Sequence, residues 1–514
     1  MKDYEVDVLI VGGGTGGTAA AVSSRAMGQR VLVVEEFGAV GGQLTTQAVP
    51  PDEHPWIEST GCTASYRDFR NRVRNYYRKN RKLTPEALAA EKLNPGGGSV
   101  SKLCMEPEIG VAVLNEMLAG IPVICHAIPV SCEVEQDRIT SVTFRGRLDG
   151  EQFTVKAAYV IDASECGSLL PLANAEYVTG AESQKETGEP HALEGAPEPD
   201  NVQAFTWCMV MGWDRTRGSH VIDRPQNYDY WRSYIPPLVP PWAGRLVDWH
   251  YCQPTTLRPL RAGFTGDKAD YDFWRYRRIR CHETLGRDID EASVMNWPQN
   301  DYLGGSILDK SPEEIEKHLR GAQELTLAMF YWLQTEAPRG DGGTGYPWLY
   351  PMPDLSGNRM GLAQAPYIRE SRRIRAMFTV TENHIGETCR PDGRAEEFAD
   401  SVGIGFYRID LHPSANGSNY IDIGSCRFQI PLRALIPVRI RNLIAGAKNI
   451  GTTHITNGCY RLHPVEWNIG EAAGLLAGYC NAEQCEVQQV GGSEEKIAEI
   501  QRLAAKRFIP LKWE

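Results

Sequence analysis

Residues 6–17 read VDVLIVGGGTGG, and this stretch decides the fold. Its first half, Val6 to Val11, is largely apolar and β-branched, which is typical of a strand buried on both faces of a parallel sheet. Its second half contains Gly12-x-Gly14-x-x-Gly17. The first glycine permits a tight turn, the second lets the main chain approach a pyrophosphate, and the third lets the next helix lie close to the strand. The stretch therefore predicts a dinucleotide-binding turn.

The residues after this turn continue the same pattern. A helix is predicted over Thr15 to Met27, with free N–H groups and a positive dipole at its phosphate end. Arg30 to Val34 predicts the second strand, and Glu35 stands at its end, 18 residues after Gly17. An acid about 20 residues beyond such a turn accepts hydrogen bonds from the ribose hydroxyls. Glu35 is therefore the predicted ribose ligand, with Glu36 as the alternative.

Length and charge narrow the class of protein. With 514 residues and 42 % apolar content, the chain is expected to form two intertwined domains. A formal net charge of −11 argues against nucleic acid as a partner and favours a small molecule. The sequence contains no apolar run long enough to span a membrane and no leader pattern at its start. We therefore expect a cytoplasmic protein without a membrane span.

The distribution of the cysteines also favours a cytoplasmic protein. All 13 are scattered, without a C-x-x-C pair and without a cysteine and histidine spacing typical of zinc. The sequence therefore predicts no metal site and no disulfide framework, as in a reducing cytoplasm.

Three later segments bear on which dinucleotide is bound. A glycine pair in Gly41-Gly42-Gln43 would let the chain run beside the cofactor. Ala158 to Glu165, AYVIDASE, predicts another buried strand. Near the C-terminus, Asn442 to Ala447, NLIAGA, predicts a strand, which the loop at Thr452 to Asn457 and a helix with GEAAG at 470–474 follow.

These segments resemble the FAD-dependent oxidoreductase family of the glutathione-reductase-type flavoprotein superfamily, and the chain is distantly similar to fumarate-reductase-type flavoproteins. YIRESRRI at 367–374, YRIDLHP at 407–413 and IPLRALIP at 430–437 also carry the resemblance. It implies an α/β fold in which a Rossmann-like FAD-binding domain with a β-meander joins a mixed α+β substrate domain. It also implies FAD as the cofactor, and because only one nucleotide-binding glycine motif is present, we expect no resident NAD domain.

The motif and the resemblance together define the expected cofactor site. The residues predicted to bind FAD are Gly12, Gly14, Thr15, Gly17, Glu35, Glu36, Gly41, Gly42, Gln43, Asp162, Ala163, Ser164, Gly446, Asn457 and Gly470. The amino end of the helix predicted from about Pro464–Trp467 would stabilise negative charge on the reduced flavin through its dipole.

The expected FAD-binding domain is discontinuous. It comprises residues 1–50, 100–180 and 425–485, with the meander within Val123 to Arg147. Residues 51–99 form a basic helical insertion and a loop, and residues 486–514 form a C-terminal helix and tail. The substrate domain is predicted over residues 181–424, which hold many of the tryptophans and prolines.

Histidines and arginines are the candidates for chemistry beside a flavin. A carbon that loses hydride must usually lose a proton as well, and histidine is the usual base near neutral pH. His412 and His454 are the first candidates, with His384 and His463 behind them. Arg369, Arg372 and Arg373 suit carboxylate or polyol oxygens and would share neighbouring faces if their segment is helical. The alternatives are structural histidines, and a local ion pair with Glu370 or a salt-bridged domain hinge for the arginines.

Three functions remain open at this stage. The first is a dehydrogenase or oxidase that moves a hydride between a small polar, sugar-like or hydroxy-acid substrate and FAD N5. The second is an FAD-dependent reductase of an activated double bond, and the third is a non-redox protein that uses FAD structurally. The electron acceptor stays unknown, and a homo-oligomer is compatible with the sequence.

The segment 67–82, RDFRNRVRNYYRKNRK, carries eight arginines and lysines. The first interpretation is the solvated face of an amphipathic helix, and the alternative is a recognition patch for an anionic ligand.

Overall fold

A parallel sheet at the start of the chain carries the glycine turn. In the computed structural model, which describes residues 2–514, β1 (Lys2–Val11) and β2 (Val31–Val34) are joined by α1 (Thr15–Ala26). Val8, Leu9, Ile10 and Val11 in β1 are buried, as a central parallel strand requires. The predicted strand, turn, helix and strand are therefore confirmed.

The sheet continues on both sides of β1. β3 (Val123–Ile124) pairs with β2 on one side, and β6 (Gln152–Asp162) pairs with β1 on the other, both in parallel. The late strand Leu443–Ala445 pairs in parallel with the last residues of β6. The carboxyl ends of β1, β2, β6 and this late strand consequently lie at one edge of the sheet, where ligands bind in open α/β sheets.

An antiparallel meander extends from β6. β4 (Ala127–Glu135) and β5 (Arg138–Gly146) form a hairpin, and β5 pairs with β6. The two-residue turn Gln136-Asp137 has positive φ at both residues, 48° and 60°, as a hairpin turn of this length requires. The predicted β-meander is present.

Two helices far apart in sequence pack closely over the sheet. The helix His463–Glu483 lies against α1, where a Cβ on Gly470 would stand 1.9 Å from the carbonyl oxygen of Gly16. A Cβ on Gly474 would likewise stand 2.4 Å from the carbonyl oxygen of Ala20. Because glycine leaves the surface of the helix bare at these positions, the two backbones touch.

A second hydrophobic core gathers aromatic residues from the middle of the chain. It contains eight buried tryptophans, and its buried members fall between Ala204 and Tyr420. The long helix Pro312–Thr335 packs against the helix Tyr228–Ser233 and the strand Asp301–Tyr302. A four-stranded sheet in the same region is formed by Met209–Trp213, Arg278–Arg280, Glu291–Met295 and Leu349–Pro351. Other residues of this region, such as Val402 and Leu411, pack into the first core instead. The domain boundaries at 181 and 424 stay a prediction.

Most of the remaining helices and strands are short. The other helices are α2 (Ala64–Asn80), Pro85–Ala89, Pro107–Met117, Leu169–Leu172, Gln184–Thr187, Tyr228–Ser233, Phe273–Tyr276, His282–Leu285, Pro353–Ser356, Glu382–Ile385, His454–Tyr460, Val487–Gly491 and Glu494–Lys506. The other strands are Tyr177–Val178, Phe205–Thr206, His250–Cys252, Pro259–Gly263, Tyr271–Asp272, Asp301–Tyr302, Arg373–Ile374, Ser401–Gly405, Ile409–Leu411, Ile421–Ile423 and Phe428–Pro431. Within residues 2–514, no helix is long and apolar enough to cross a membrane.

Most of the basic segment lies in α2, and two of its eight basic side chains are buried in ion pairs. Arg70 and Arg74 are buried and form ion pairs with Glu58, and Arg70 also pairs with Glu53. Because these guanidinium groups are already neutralised, they offer no patch for an anionic ligand. The amphipathic-helix interpretation fits these contacts.

Candidate functional site

At the glycine turn, the backbone lies very close to the loop after β6 and to the first turn of α1. Gly12 has φ 93°, and a Cβ there would lie 2.5 Å from the carbonyl oxygen of Ala163. A Cβ on Gly17 would lie 1.9 Å from the carbonyl oxygen of Gly12, so only glycine lets α1 begin so near β1. The second glycine pair joins this turn, because Gly41 N–H donates to the carbonyl of Gly13 at 2.7 Å. Gly14 caps α1, and the hydroxyl of Thr15 donates to the carbonyl of Gly41 at 3.2 Å.

The predicted ribose acid lies directly at this turn. The Glu35 carboxylate accepts hydrogen bonds from the N–H groups of Gly13 at 2.6 Å and Phe37 at 2.9 Å. Burial raises the pKa of Glu35 to about 7. Glu36 is more exposed and faces Arg147, with 3.7 Å between their charged atoms. Both acids line a small cavity together with Gly12, Gly14, Ala163 and Ser164.

Asp162 organises the loop that follows β6. One carboxylate oxygen accepts from the N–H and hydroxyl of Ser164, at 3.1 and 2.6 Å, and the other accepts from the N–H of Leu169 at 3.1 Å. Burial raises the pKa of this carboxyl to about 6. Asp162 thus holds the predicted loop in place through its own backbone partners, while Ala163 and Ser164 face the small cavity.

A lysine and two glutamates lie at the amino end of α1. None of the three is among the site residues predicted from the sequence. Lys448 contacts Glu165, and its ammonium nitrogen lies 3.5 Å from a carboxylate oxygen of Glu466. The Glu466 carboxylate accepts from the N–H of Gly16 at 3.3 Å and from the amide of Gln43 at 2.8 Å. One signal was available, because Glu466 is four residues before Gly470 and therefore shares the helix face that touches α1.

Five buried polar atoms within residues 43–47 and 452–463 have no hydrogen-bond partner in the described chain. They are Gln43 Oε1, Gln47 Oε1, Thr452 Oγ1, Asn457 Oδ1 and His463 Nε2. A buried polar group without a hydrogen bond costs about 1–3 kcal/mol, so such atoms call for a ligand with donors and acceptors. The pyrimidine edge of a flavin carries carbonyl groups and an N–H. The residues present therefore fit FAD, whose pyrophosphate would lie at the glycine turn and whose ring these atoms would contact.

His463 has a defined protonation state. Its Nδ1 accepts from the backbone N–H of Asp52 at 3.0 Å, so the remaining proton of the neutral ring is on Nε2. Burial lowers the pKa of His463 to about 4. The ring is therefore a neutral donor at the start of the helix 463–483, and the sequence placed it only behind two other histidines.

A larger cavity of about 470 Å³ adjoins these residues through Asp52, Arg461 and Leu462. Aromatic side chains, four arginines and three aspartates dominate its wall. The residues that line it include Tyr251, Tyr271, Phe273, Tyr276, Arg277, Asn296, Trp297, Tyr367, Arg369, Tyr407, Arg408, Asp410, His412, Tyr420 and Asp422. Two of the five predicted catalytic residues, Arg369 and His412, therefore face one cavity. Asn296 and Trp297 face it as well.

A buried aspartate connects these two residues. Asp301 Oδ2 lies 2.5 Å from His412 Nδ1, and Asp301 Oδ1 lies 3.1 Å from an amino nitrogen of Arg369. The hydroxyl of Thr206 donates to the same Oδ1 at 2.5 Å. Burial raises the pKa of Asp301, but the charges of Arg369 and His412 outweigh burial and leave that pKa below its ordinary value. An ionised Asp301 therefore holds the Nδ1–H of His412, which leaves Nε2 as the basic nitrogen.

The segment 367–374 is not helical, so a shared helical face for its arginines is wrong. Tyr367 pairs with Thr206, and Arg373–Ile374 pairs with Tyr177–Val178, because the backbone groups bond to neighbouring strands. Arg372 bonds to Asp309 and to the carbonyl of Cys166, each at 2.8 Å. Arg373 is buried and contacts Glu370 and Glu182. Only Arg369 reaches the cavity, and the other two form local ion pairs.

His454 lies beside the cavity rather than in it. It begins the helix His454–Tyr460, and its Nδ1 is 3.0 Å from both carboxylate oxygens of Glu370. His384 bonds back to the N–H of Thr381 at 2.9 Å and has a structural role. The amide of Asn457 donates to the carbonyl of Lys448 at 3.1 Å, and this bond leaves its oxygen unpartnered. Within the described residues, no group of histidines, cysteines and acids could hold a metal ion.

Comparisons with known proteins identify the chain at the level of family. The sequence profile of the family described as FAD dependent oxidoreductase matches residues 7–503. No curated protein matches the chain.

Solved structures align over parts of the chain. L-proline dehydrogenase from P. horikoshii is 12 % identical, with a TM-score of 0.19, over 35 % of this chain and 24 % of that chain. The glycerol-3-phosphate dehydrogenase from Bacillus halodurans complexed with FAD is 14 % identical, with a TM-score of 0.25, over 41 % of each chain. OxyS anhydrotetracycline hydroxylase from Streptomyces rimosus is 13 % identical, with a TM-score of 0.24, over 71 % and 52 %. The chain spans less than half the length of the first two.

The family match runs from β1 to the helix Glu494–Lys506. The glycine turn, the unpartnered polar atoms and the cavity that contains His412 all lie within it. The chain belongs to the FAD dependent oxidoreductase family.

Proposed function

We propose that this protein is a dehydrogenase or oxidase that removes hydride from a small polar substrate bound in the 470 Å³ cavity. FAD is the cofactor of the family to which the chain belongs. The observation that carries the proposal is the His412 and Asp301 pair, with 2.5 Å between Nδ1 and Oδ2, in the wall of that cavity. A histidine fixed in this way is a general base for a hydroxyl proton.

The residues around the cavity divide the chemistry between them. Bound FAD supplies the acceptor of two electrons, at N5 of its ring. His412 Nε2 takes the hydroxyl proton as the carbon loses hydride, and the nearby carboxylate of Asp301 stabilises the resulting imidazolium. Arg369 holds that carboxylate from its other oxygen at 3.1 Å. The substrate then leaves as a carbonyl compound.

The unpartnered atoms of the cavity wall favour an oxygen-rich substrate. Six buried atoms on the lining residues in the described structure have no partner, namely Arg277 Nε, Asn296 Nδ2, Trp297 Nε1, Arg369 Nε, Tyr420 OH and Arg461 Nε. Five of these are N–H donors, and the hydroxyl can donate as well. A ligand that offers mainly acceptors satisfies them best. This excess of donors supports a hydroxy acid over a neutral polyol.

Anaerobic titration of the yellow protein tests the proposal. The candidates are 2-hydroxy acids, sugar acids, sugars and polyols, each followed by the absorbance of the oxidised flavin at about 450 nm. We expect a hydroxy acid to bleach the flavin. Reoxidation of photoreduced protein by an unsaturated acid would instead support a reductase of an activated double bond. A flavin that no candidate bleaches or reoxidises would support the structural use of FAD and overturn the proposal.

A further inference from the structure

A second, smaller cavity lies behind His412. Its volume is about 30 Å³, which accommodates about two water molecules. Three of the eleven histidines, His191, His412 and His454, line it, although they are far apart in sequence. The wall also includes Ser414, Ser418 and Asn201, whose buried Oδ1 has no partner in the described residues. The cavity is therefore polar enough to hold water.

Each of the three histidines has its own buried carboxylate. The Nδ1 atoms of His412, His454 and His191 lie 2.5, 3.0 and 2.6 Å from Asp301, Glu370 and Glu382, in that order. Burial raises the pKa of Glu370, but the charges of His454 and Arg373 outweigh burial and lower that pKa to about 2. An anionic carboxylate holds a proton on Nδ1, so Nε2 is the exchangeable nitrogen in each ring.

The Nε2 atoms are free to exchange protons. Across the part of the chain that the structure describes, none of the three has a hydrogen-bond partner, and the nearest acid to His412 Nε2 is Asp410 at 3.9 Å. His412 also lines the larger cavity, so its ring forms a wall between the two cavities. The side chain of His454 is 8 % exposed, whereas that of His191 is 36 % exposed. The small cavity thus connects the substrate cavity to a histidine at the surface.

We infer that this cavity and its three histidines form the exit path for the proton that leaves the substrate, from His412 through His454 to His191 and then to solvent. The inference rests on the proposed function, because that function generates the proton. His454 and His191 do not touch the substrate in this scheme. They act only by passing on the proton that His412 has taken.

The proton balance follows from the pairing. The substrate loses one hydride and one proton, and the proton binds Nε2 of His412. Water in the small cavity carries it to Nε2 of His454 and then of His191, which releases it to bulk buffer. Each Nδ1 keeps its proton, which stays hydrogen-bonded to the carboxylate, so each ring ends in its initial state. His412 is then neutral again before the next substrate binds.

The test follows flavin bleaching and proton release together, by anaerobic stopped flow with a pH indicator in weakly buffered solution. The variant His191→Gln removes the surface member without opening the core. We expect it to slow proton release by about tenfold and to leave FAD content unchanged. Imidazole at a concentration too low to buffer the indicator should restore part of the rate, because a dissolved base replaces the missing one. His250→Gln is the matched control, since His250 is also near the surface and pairs with Asp248 at 3.0 Å.

A second variant interrupts the path without changing an ionisable group. Ala192 lines the small cavity, and Ala192→Val fills part of its volume. We expect slower proton release that imidazole does not restore. His454→Gln should act in the same way as His191→Gln, but it also removes a buried partner of Glu370, so His191 and Ala192 carry the test.

The outcomes separate the two proposals. If no substrate bleaches the flavin of the unaltered protein, the proposed function is wrong. If the substrate bleaches it, and His191→Gln and Ala192→Val release protons as fast as His250→Gln in weak buffer, the exit path is wrong while the function stands.

Discussion

His412 and Asp301 are 111 residues apart in sequence, yet Nδ1 and Oδ2 lie only 2.5 Å apart in a buried pair. The carboxylate fixes the orientation of the ring and leaves Nε2 for the substrate. Arg369 approaches the same carboxylate from its other side. The pair thus joins the strand Asp301–Tyr302 to the segment 407–413 at the cavity wall.

Replacement of the proposed base should separate chemistry from folding. We expect His412→Gln to slow flavin reduction by about 10²–10⁴-fold, which is the usual contribution of a general base. FAD content should not change, because His412 is not among the residues at the glycine turn. Anaerobic stopped flow at 450 nm, the approximate absorbance maximum of a flavin, measures the rate. An unchanged rate would show that another group takes the proton.

Arg277 should distinguish acids from their neutral analogues. Its Nε has no partner in the described structure, and its amino group lies 3.4 Å from Asp52. We expect the protein to bind benzoate more tightly than benzamide, and Arg277→Gln to weaken benzoate binding by about 1.5–3 kcal/mol. Calorimetric titration measures both affinities.

Arg408→Gln is the control for this change, because Arg408 is more exposed and bonds to Asp422. Equal affinities of the unaltered protein for benzoate and benzamide would argue against an acid as the substrate.

Lys448 and Glu466 should affect FAD binding in opposite directions. Lys448 supplies positive charge at the amino end of α1, while Glu466 accepts from the N–H of Gly16 there. We expect Lys448→Met to weaken FAD binding by about tenfold or more, because it leaves two carboxylates near the pyrophosphate. Glu466→Gln should strengthen FAD binding, because it removes one of them. Titration of the cofactor-free protein with FAD, followed by flavin fluorescence, measures the affinity. Weaker FAD binding in both variants would contradict the prediction.

His463 should make stability fall at acid pH. Burial lowers its folded-state pKa to about 4 from the ordinary value of 6.5, so the unfolded chain takes up this proton first. Its contribution is full above about pH 6.5 and is lost as the pH falls to about 4, at up to about 1.4 kcal/mol per pH unit. The urea midpoint of His463→Gln should therefore vary less over this interval than that of the unaltered protein. A parallel decrease in both proteins would contradict the burial argument.

The sequence predicted the fold around the glycine turn well because the determinants there are local. Strand β1, the glycine turn and α1 follow from consecutive residues whose steric requirements are strict. The segment 367–374 could not be predicted in this way, because its backbone bonds to strands near Thr206 and Tyr177. Tertiary pairing outweighed the helical spacing of its arginines.

The charged partners of the site were not predictable from sequence. Asp301, Glu466 and Lys448 acquire their roles only when distant segments meet, as the interval of 450 residues between Gly16 and Glu466 illustrates. His412 was selected by its place in YRIDLHP, and its pairing with Asp301 gives that choice a physical basis. Its part in catalysis stays a prediction, as does that of Arg369.

The contact of Gly470 with Gly16 has a consequence for the synthesis of the protein. The glycine turn leaves the ribosome before the helix His463–Glu483 that packs on α1, because 450 residues separate Gly16 from Glu466. Over that interval the nascent chain carries the glycine turn without the helix that packs on it. Premature termination before this helix would leave the expected cofactor site incomplete, even though the glycine motif at residues 12–17 would be intact.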